Sequence, residues 1–239
     1  MNLGKAFKYP FEDKEWASKL GLAALILIVP ILNFAVAGYS IEIIRRVMKG
    51  DSQPLPSWDE LGKKFLDGLL LFLANLIYSL PMLLLLCLPL ALILVPAILS
   101  GNSNSQDLAN ALTTAGGISV ACLSCLFILY GLAISVIFPC VTILYAREGT
   151  FSACFRIREI FAMIGKNAGS FFAAWGVYLG TSIGASIVTG ILGGVLFWLP
   201  FIPAILGLAS GLYTLLVYSH LFGQFATLEL ASDKPLATA

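Results

Sequence analysis

Residues 20–41, 68–99, 108–146 and 167–228 contain no Asp, Glu, Lys or Arg. A run of about 18 apolar residues is enough to cross the hydrocarbon core as a helix, and a charge at its centre costs about 3 kcal/mol. A chain with four such runs has to fold in a bilayer. Its composition, 59% hydrophobic and 11% charged with a mean hydropathy of +0.94, leaves no room for a water-soluble domain. The fold class is therefore all-α, polytopic and integral to the membrane, in a single domain over residues 1–239. A net charge of +1 gives no reason to expect nucleic acid.

The runs differ in how they divide. As one straight helix, residues 68–99 would extend about 48 Å against a core of about 30 Å, so Pro81, Pro89 and Pro96 are expected to bend it. A polar loop is expected over 100–115, then a span from about Gly116 to Ala146 broken near Pro139. Residues 167–228 suit two spans, divided at Pro200 and Pro203. These are four full transmembrane helices.

Basic residues set the expected orientation, because Lys and Arg in short loops stay on the cytoplasmic side. Five lie between Arg45 and Lys64 and four between Arg147 and Lys166, whereas 100–115 has none. Both basic loops and the C-terminus are thus expected in the cytoplasm. Lys5, Lys8, Lys14 and Lys19 would then lie outside if residues 20–41 formed an ordinary span. A re-entrant hairpin, broken at Pro30 and Asn33, puts all fourteen basic residues on one side and is preferred to a fifth span. The start, MNLGKAFKYPFEDKEW, is charged and mixed in sign, so the first apolar segment is expected to remain in the mature protein.

Two connectors read as amphipathic helices on the cytoplasmic membrane surface. In the first, Ser57 and Glu60 have capping-box spacing, and Trp58, Leu61 and Phe65 line one side. The second places Ile157, Ile160, Phe161 and Ile164 opposite Ser152, Arg156 and Glu159. Their order suggests a pseudo-repeat of helix, surface helix and helix, over 20–99 and 115–198.

The YPF at 9–11, the PILN at 30–33, Gly38 with Tyr39, and Pro54, Leu55, Pro56 and Trp58 resemble a prokaryotic membrane-protein family, domain of unknown function 4013. Phe138 and Pro139, followed by Arg147, Glu148 and Gly149, look like the membrane domain of some glycerophosphodiester phosphodiesterases. The first resemblance implies a place in a prokaryotic plasma membrane, and neither implies an activity.

Few side chains are left for chemistry. The single histidine, His220, cannot build a multi-ligand metal site, and no acid or cysteine stands at ligand spacing beside it. Five cysteines cannot pair completely, and Cys122 and Cys125 are expected to be small packing residues. No paired carboxylates, activated serine or phosphate-cradling glycine loop is present, so neither an enzyme nor a cofactor is expected. Asn33, Asn75, His220 and Gln224 are polar groups in apolar runs, either bonded to neighbouring helices or facing one cavity. Arg45, Arg46, Arg156 and Arg158 would bind anionic headgroups if they clustered. Gly176, Gly180 and Gly184, with Gly207 and Gly211, form ridges at which helices approach closely.

The leading functional expectation is a non-enzymatic scaffold or accessory subunit whose partners are membrane lipids and another membrane protein or a second copy. The alternative is a small-molecule or lipid carrier with a cavity between the pseudo-repeats.

Overall fold

A computed structural model describes residues 1–99, 106–199 and 201–232. The described residues form eight α-helices: α1 (Leu3–Glu12), α2 (Trp16–Ile28), α3 (Asn33–Lys49), α4 (Leu61–Leu99), α5 (Gln106–Glu148), α6 (Ile157–Lys166), α7 (Ala168–Val195) and α8 (Ile202–Ser232). Parts of α4 and α5, together with α7 and α8, are long and apolar enough to cross a membrane.

Residues 20–41 break where proline chemistry requires. The ring of Pro30 disfavours helical backbone at Val29, which is extended at φ −92° and ψ 110°, and Pro30–Leu32 follow as a 3-10 turn. The chain reverses there: Ala23 and Ile26 of α2 pack on Ala35 and Val36 of α3, with Leu212 of α8 completing the cluster. At the open end, the Trp58 indole N–H donates to the Lys19 carbonyl (3.0 Å), tying the start of α2 to the connector after α3. This is a helical hairpin whose two arms, 13 and 17 residues, are each shorter than any of the four spans.

Several expectations change. The segment around Ser57–Asp67 makes no separate surface helix. Its latter part is the first turns of α4, because Leu61 onward continues without interruption into the apolar run. Amphipathic helices form instead at α1, capped by the Asn2 side chain accepting the Lys5 N–H (3.1 Å), and, as expected, at α6. Helix also continues through Pro81, Pro89 and Pro139, since in a long apolar segment the flanking turns keep their own hydrogen bonds. The loop expected over 100–115 is helical from Gln106; the remainder, with Pro200 of the α7–α8 turn and the C-terminal residues 233–239, lies outside the described residues.

By Cα packing the chain divides into two units, Met1–Phe72 with Pro139–Ala239, and Leu73–Phe138. Each proposed repeat half contributes to both, so the units do not coincide with the halves 20–99 and 115–198. The halves do share one local feature: α3 ends at Lys49 and α5 at Glu148, each followed directly by a left-handed glycine, Gly50 (φ 81°) and Gly149 (φ 69°), with Arg147 in the last turn of α5.

The first unit is built around α8, which receives α3 and α7 along its length and α1 and α2 at its sides. α3 crosses α4 at backbone contact. A methyl group at Gly38 would overlap the Lys64 carbonyl, and one at Gly68 would overlap the Phe34 carbonyl. Gly223 of α8 seats Val47 of α3 in the same manner, 2.7 Å from where a Cβ would lie. In the second unit, Gly116 of α5 faces Ile93 and Pro89 of α4, and the Tyr130 hydroxyl donates to the Tyr78 carbonyl.

Candidate functional site

The charged side chains of the first unit meet at the ends of its helices. Lys64 is only 3% exposed, so its ammonium requires an acid, and Glu42 on α3 supplies one at 2.8 Å. Glu42 also takes Arg46 from the next turn of its own helix, at 3.1 Å. Arg45 lies about 100° further around α3 and points elsewhere. Its Nη1 pairs with Asp67 Oδ2, its Nε donates to the Ala146 carbonyl (3.0 Å), and its guanidinium stands 5.9 Å from the centre of the Tyr145 ring. Tyr145 donates to the other oxygen of Asp67 at 2.8 Å. Asp67 is thereby occupied on both oxygens, and Arg45 is held on two sides.

A third pair anchors α1 to α2. Burial alone would raise the Asp13 carboxyl. The Lys19 ammonium at 2.8 Å and the Glu15 N–H at 2.8 Å outweigh burial and hold it below the usual carboxylate range. Beside it, Tyr9 packs with Tyr39, Ile43, Val47, Leu55 and Leu216 in one cluster, and Trp58 stacks on Tyr39 at 4.6 Å. Burial pushes the Tyr9 hydroxyl well up, and it donates to the Leu216 carbonyl (3.1 Å). The motif residues singled out in the sequence, Tyr9, Tyr39, Leu55 and Trp58, are thus a packing unit.

His220 belongs to this corner. Its ring stacks on Tyr9 at 4.3 Å. The Gln224 carboxamide accepts the Asn2 N–H (2.6 Å) and donates to the Asn2 carbonyl (3.0 Å), which fixes the orientation of its amide. The Gln224 nitrogen must then donate to His220 Nδ1 at 2.9 Å, so His220 is the neutral ring with its proton on Nε2. Stack and amide together clamp α1 onto α8. A cleft of about 320 Å³ opens beside His220, with Lys5, Asp51 and Thr227 on its walls.

The polar groups Asn33, Asn75 and His220 do not share that cleft. Asn33 is exposed at the start of α3 beside the hairpin turn, and Asn75 belongs to the second unit. Asn33 stands at the opposite end of α3 from Val47, which also lines that cleft. Among the described residues, no group of three His, Cys, Asp or Glu comes together as a metal site. Cys122 and Cys125 are exposed on α5.

A larger cleft, about 640 Å³, lies between the ends of α3 and α5 and the start of α4, and Leu230 of α8 reaches it. Its charged lining is Arg45, Lys49, Lys63, Asp67, Arg147 and Glu148. Of the four arginines expected to cluster, Arg45 alone lines it. Arg46 is turned to Glu42, and Arg158 is exposed on α6. Arg156 pairs with Glu148 (2.6 Å) and Glu159 (3.5 Å). Lys49, Lys63 and Arg147 take their place. The sequence carried a signal for them: Lys63 and Asp67 are four apart on one helix face, and Lys49 and Arg147 stand one and two residues before the left-handed glycines Gly50 and Gly149.

The glycine ridges are open within the chain. A Cβ added at Gly176, Gly180, Gly184, Gly207 or Gly211 meets nothing within 4 Å. These five glycines do not mediate packing inside the chain. α7 meets α8 through Phe171, which lies 5.4 Å from Phe225 and 6.0 Å from Phe222, and through Tyr178, 5.1 Å from Tyr218. Bulky rings fill that interface, so the small face of α7 is turned away from it.

The family model described as Protein of unknown function (DUF4013) matches residues 21–198. The chain belongs to this family. The match covers the hairpin from Gly21 onward, the α3–α4 glycine crossing and the large cleft except Leu230, while Tyr9, His220 and Gln224 lie outside the matched residues. No curated protein and no solved structure matches the chain, and the likeness to the glycerophosphodiester phosphodiesterase membrane domain finds no support. For a DUF4013 protein, function has to be read from the molecule itself.

Proposed function

We propose that this DUF4013 protein is a non-enzymatic membrane scaffold whose α7 face binds another transmembrane helix, the occupant being a second copy of the chain. One observation carries the reading: Gly176, Gly180 and Gly184 are exposed along a 28-residue apolar helix, with nothing within 4 Å of where their Cβ atoms would lie. Lipid tails solvate apolar side chains as well as another helix does, so association in a bilayer depends on close backbone approach at small residues. The opposite face of α7 is already filled by α8. A ridge of this kind is self-complementary, as a two-fold contact requires. Phe172, Ile183 and Ile187 are exposed on the same helix and offer side chains to flank the crossing.

In this reading the basic loops face the cytoplasm and the α2–α3 hairpin re-enters from that side. Labelling of single cysteines placed at Lys49 and at Asp107 in intact cells tests the orientation, with Lys49 expected to be protected and Asp107 reactive.

The association test is native mass spectrometry of the full chain in nanodiscs. The wild type is expected as a dimer, and the variant G176L/G180L as a monomer with an unchanged unfolding temperature. A wild type that is monomeric at every protein concentration overturns the proposal. Retention of a different protein in fixed stoichiometry keeps the scaffold and replaces the partner.

A further inference from the structure

The large cleft of the first unit has a charge pattern that its own contacts leave incomplete. Four basic residues, Arg45, Lys49, Lys63 and Arg147, face two acids, Asp67 and Glu148. Both acids are engaged. Asp67 is held by Arg45 and Tyr145, and Glu148 by Arg156 from outside the cleft. Lys63 reaches only Glu60, and both side chains of that pair are more than 60% exposed, so the pair contributes little. Lys49 and Arg147 have no ion-pair partner among the described residues.

Helix ends reduce this excess without removing it. α3, α5 and α8 end near the cleft and α4 begins there. At about half a charge per terminus, three C-terminal ends and one N-terminal end lower a side-chain excess of two positive charges to roughly one. The cleft therefore stays cationic. Arg45 adds rigidity, since its Nε and Nη1 are fixed by Ala146 and Asp67 while Nη2 has no hydrogen bond among the described residues. Asp67 and Arg147 stand at the polar ends of apolar spans, which is where headgroups lie.

We propose that this cleft binds a phosphate group through Lys49 and Arg147, with Arg45 as the fixed third donor. The group is either the headgroup phosphate of an anionic phospholipid or a soluble phosphate. Arginine matches phosphate oxygens in pairs and lysine adds a point charge, so one of each beside a fixed guanidinium suits a tetrahedral oxyanion better than a planar carboxylate.

The test uses the full chain. In one arm, nanodiscs of phosphatidylcholine with one-fifth phosphatidylglycerol are followed by native mass spectrometry of retained lipid. In the other, inorganic phosphate and pyrophosphate are titrated calorimetrically into protein in pure phosphatidylcholine nanodiscs. K49Q/R147Q removes two exposed charges outside the Arg45–Asp67–Tyr145 network and is compared with K8Q/K14Q, which removes two exposed charges elsewhere. Phosphatidylglycerol retention or phosphate affinity is expected to fall about tenfold or more in K49Q/R147Q and to stay unchanged in K8Q/K14Q. Enriched phosphatidylglycerol identifies a lipid source, and calorimetric binding alone identifies a soluble one. Equal behaviour of the two variants, or no binding in either arm, overturns the proposal.

Discussion

The two packing units of this chain are both helical and apolar, yet they are held together differently. In the unit formed by Met1–Phe72 and Pro139–Ala239, buried rings of Tyr9, Tyr39, Tyr145, Phe171, Phe222 and Phe225 interlock, and ion pairs join α1 to α2 and α3 to α4. In Leu73–Phe138, the buried residues among those described are Ala74, Pro89 and Gly116, while leucines and isoleucines such as Leu84, Ile98 and Leu129 are at least 64% exposed. In water the second pattern would be untenable, but in a bilayer lipid serves as the apolar partner. The comparison teaches that core density in this protein follows the polar groups: charges near the ends of spans need partners from other segments, and satisfying them pulls helices together.

That contrast can be broken most forcefully at the α3–α4 crossing. Gly38→Leu would drive a side chain into the Lys64 backbone and is expected to cost more than about 4 kcal/mol, seen as loss of folded protein on size-exclusion chromatography. In the other unit Gly131→Leu has open space and is expected to leave unfolding within about 0.5 kcal/mol of wild type. Equal damage at both positions would mean that the second unit has a partner its own residues do not reveal.

Next in size, Asp67→Asn leaves Arg45 facing an uncharged amide in a largely buried setting. A loss of about 3 kcal/mol in chemical unfolding is expected. The hydrogen bond from Tyr130 to Tyr78 is the corresponding polar contact of the second unit, and Tyr130→Phe is expected to cost only about 1 kcal/mol in the same assay.

A smaller effect than that of Asp67→Asn depends on pH. The Asp13 carboxyl is held below its unfolded value, so its contribution is fully present above the unfolded pKa of about 4 and is lost as pH falls through the folded value. Asp13→Asn is expected to lower stability by about 1 kcal/mol at pH 7, with the gap to wild type closing below about pH 4. Thermal unfolding of both proteins from pH 7 to pH 3 checks this, and a gap that stays constant would remove the ion pair from the account.

Much of this was legible in the residues. Charge-free runs gave the four spans, Pro30 gave the hairpin break, and Pro203 marked the first turn of α8. All three follow from local rules about desolvation and backbone donors, which need no knowledge of neighbours. The candidate site was only half legible. Arg45 was identified, but its cluster with Lys49, Lys63 and Arg147 was not, because adjacent positions on one helix diverge by about 100° and only a partner helix decides which of them matters.

Glycine shows the same division. Spacing alone marked Gly176, Gly180 and Gly184, and could not distinguish a ridge that is packed from one that is open. Gly38 and Gly68 are where backbones meet, and Gly223 is where the Val47 side chain seats, without the regular spacing that marked the open ridge. By itself the sequence determined that this chain inhabits a membrane, roughly where its four long apolar helices lie and where Pro30 breaks the first apolar run, since each of these depends on the free energy of short segments in lipid. Tertiary structure decided which charges are satisfied, which glycines are crossed and which cleft remains cationic, since those depend on the facing side chain, and facing is set by rotation and register between helices.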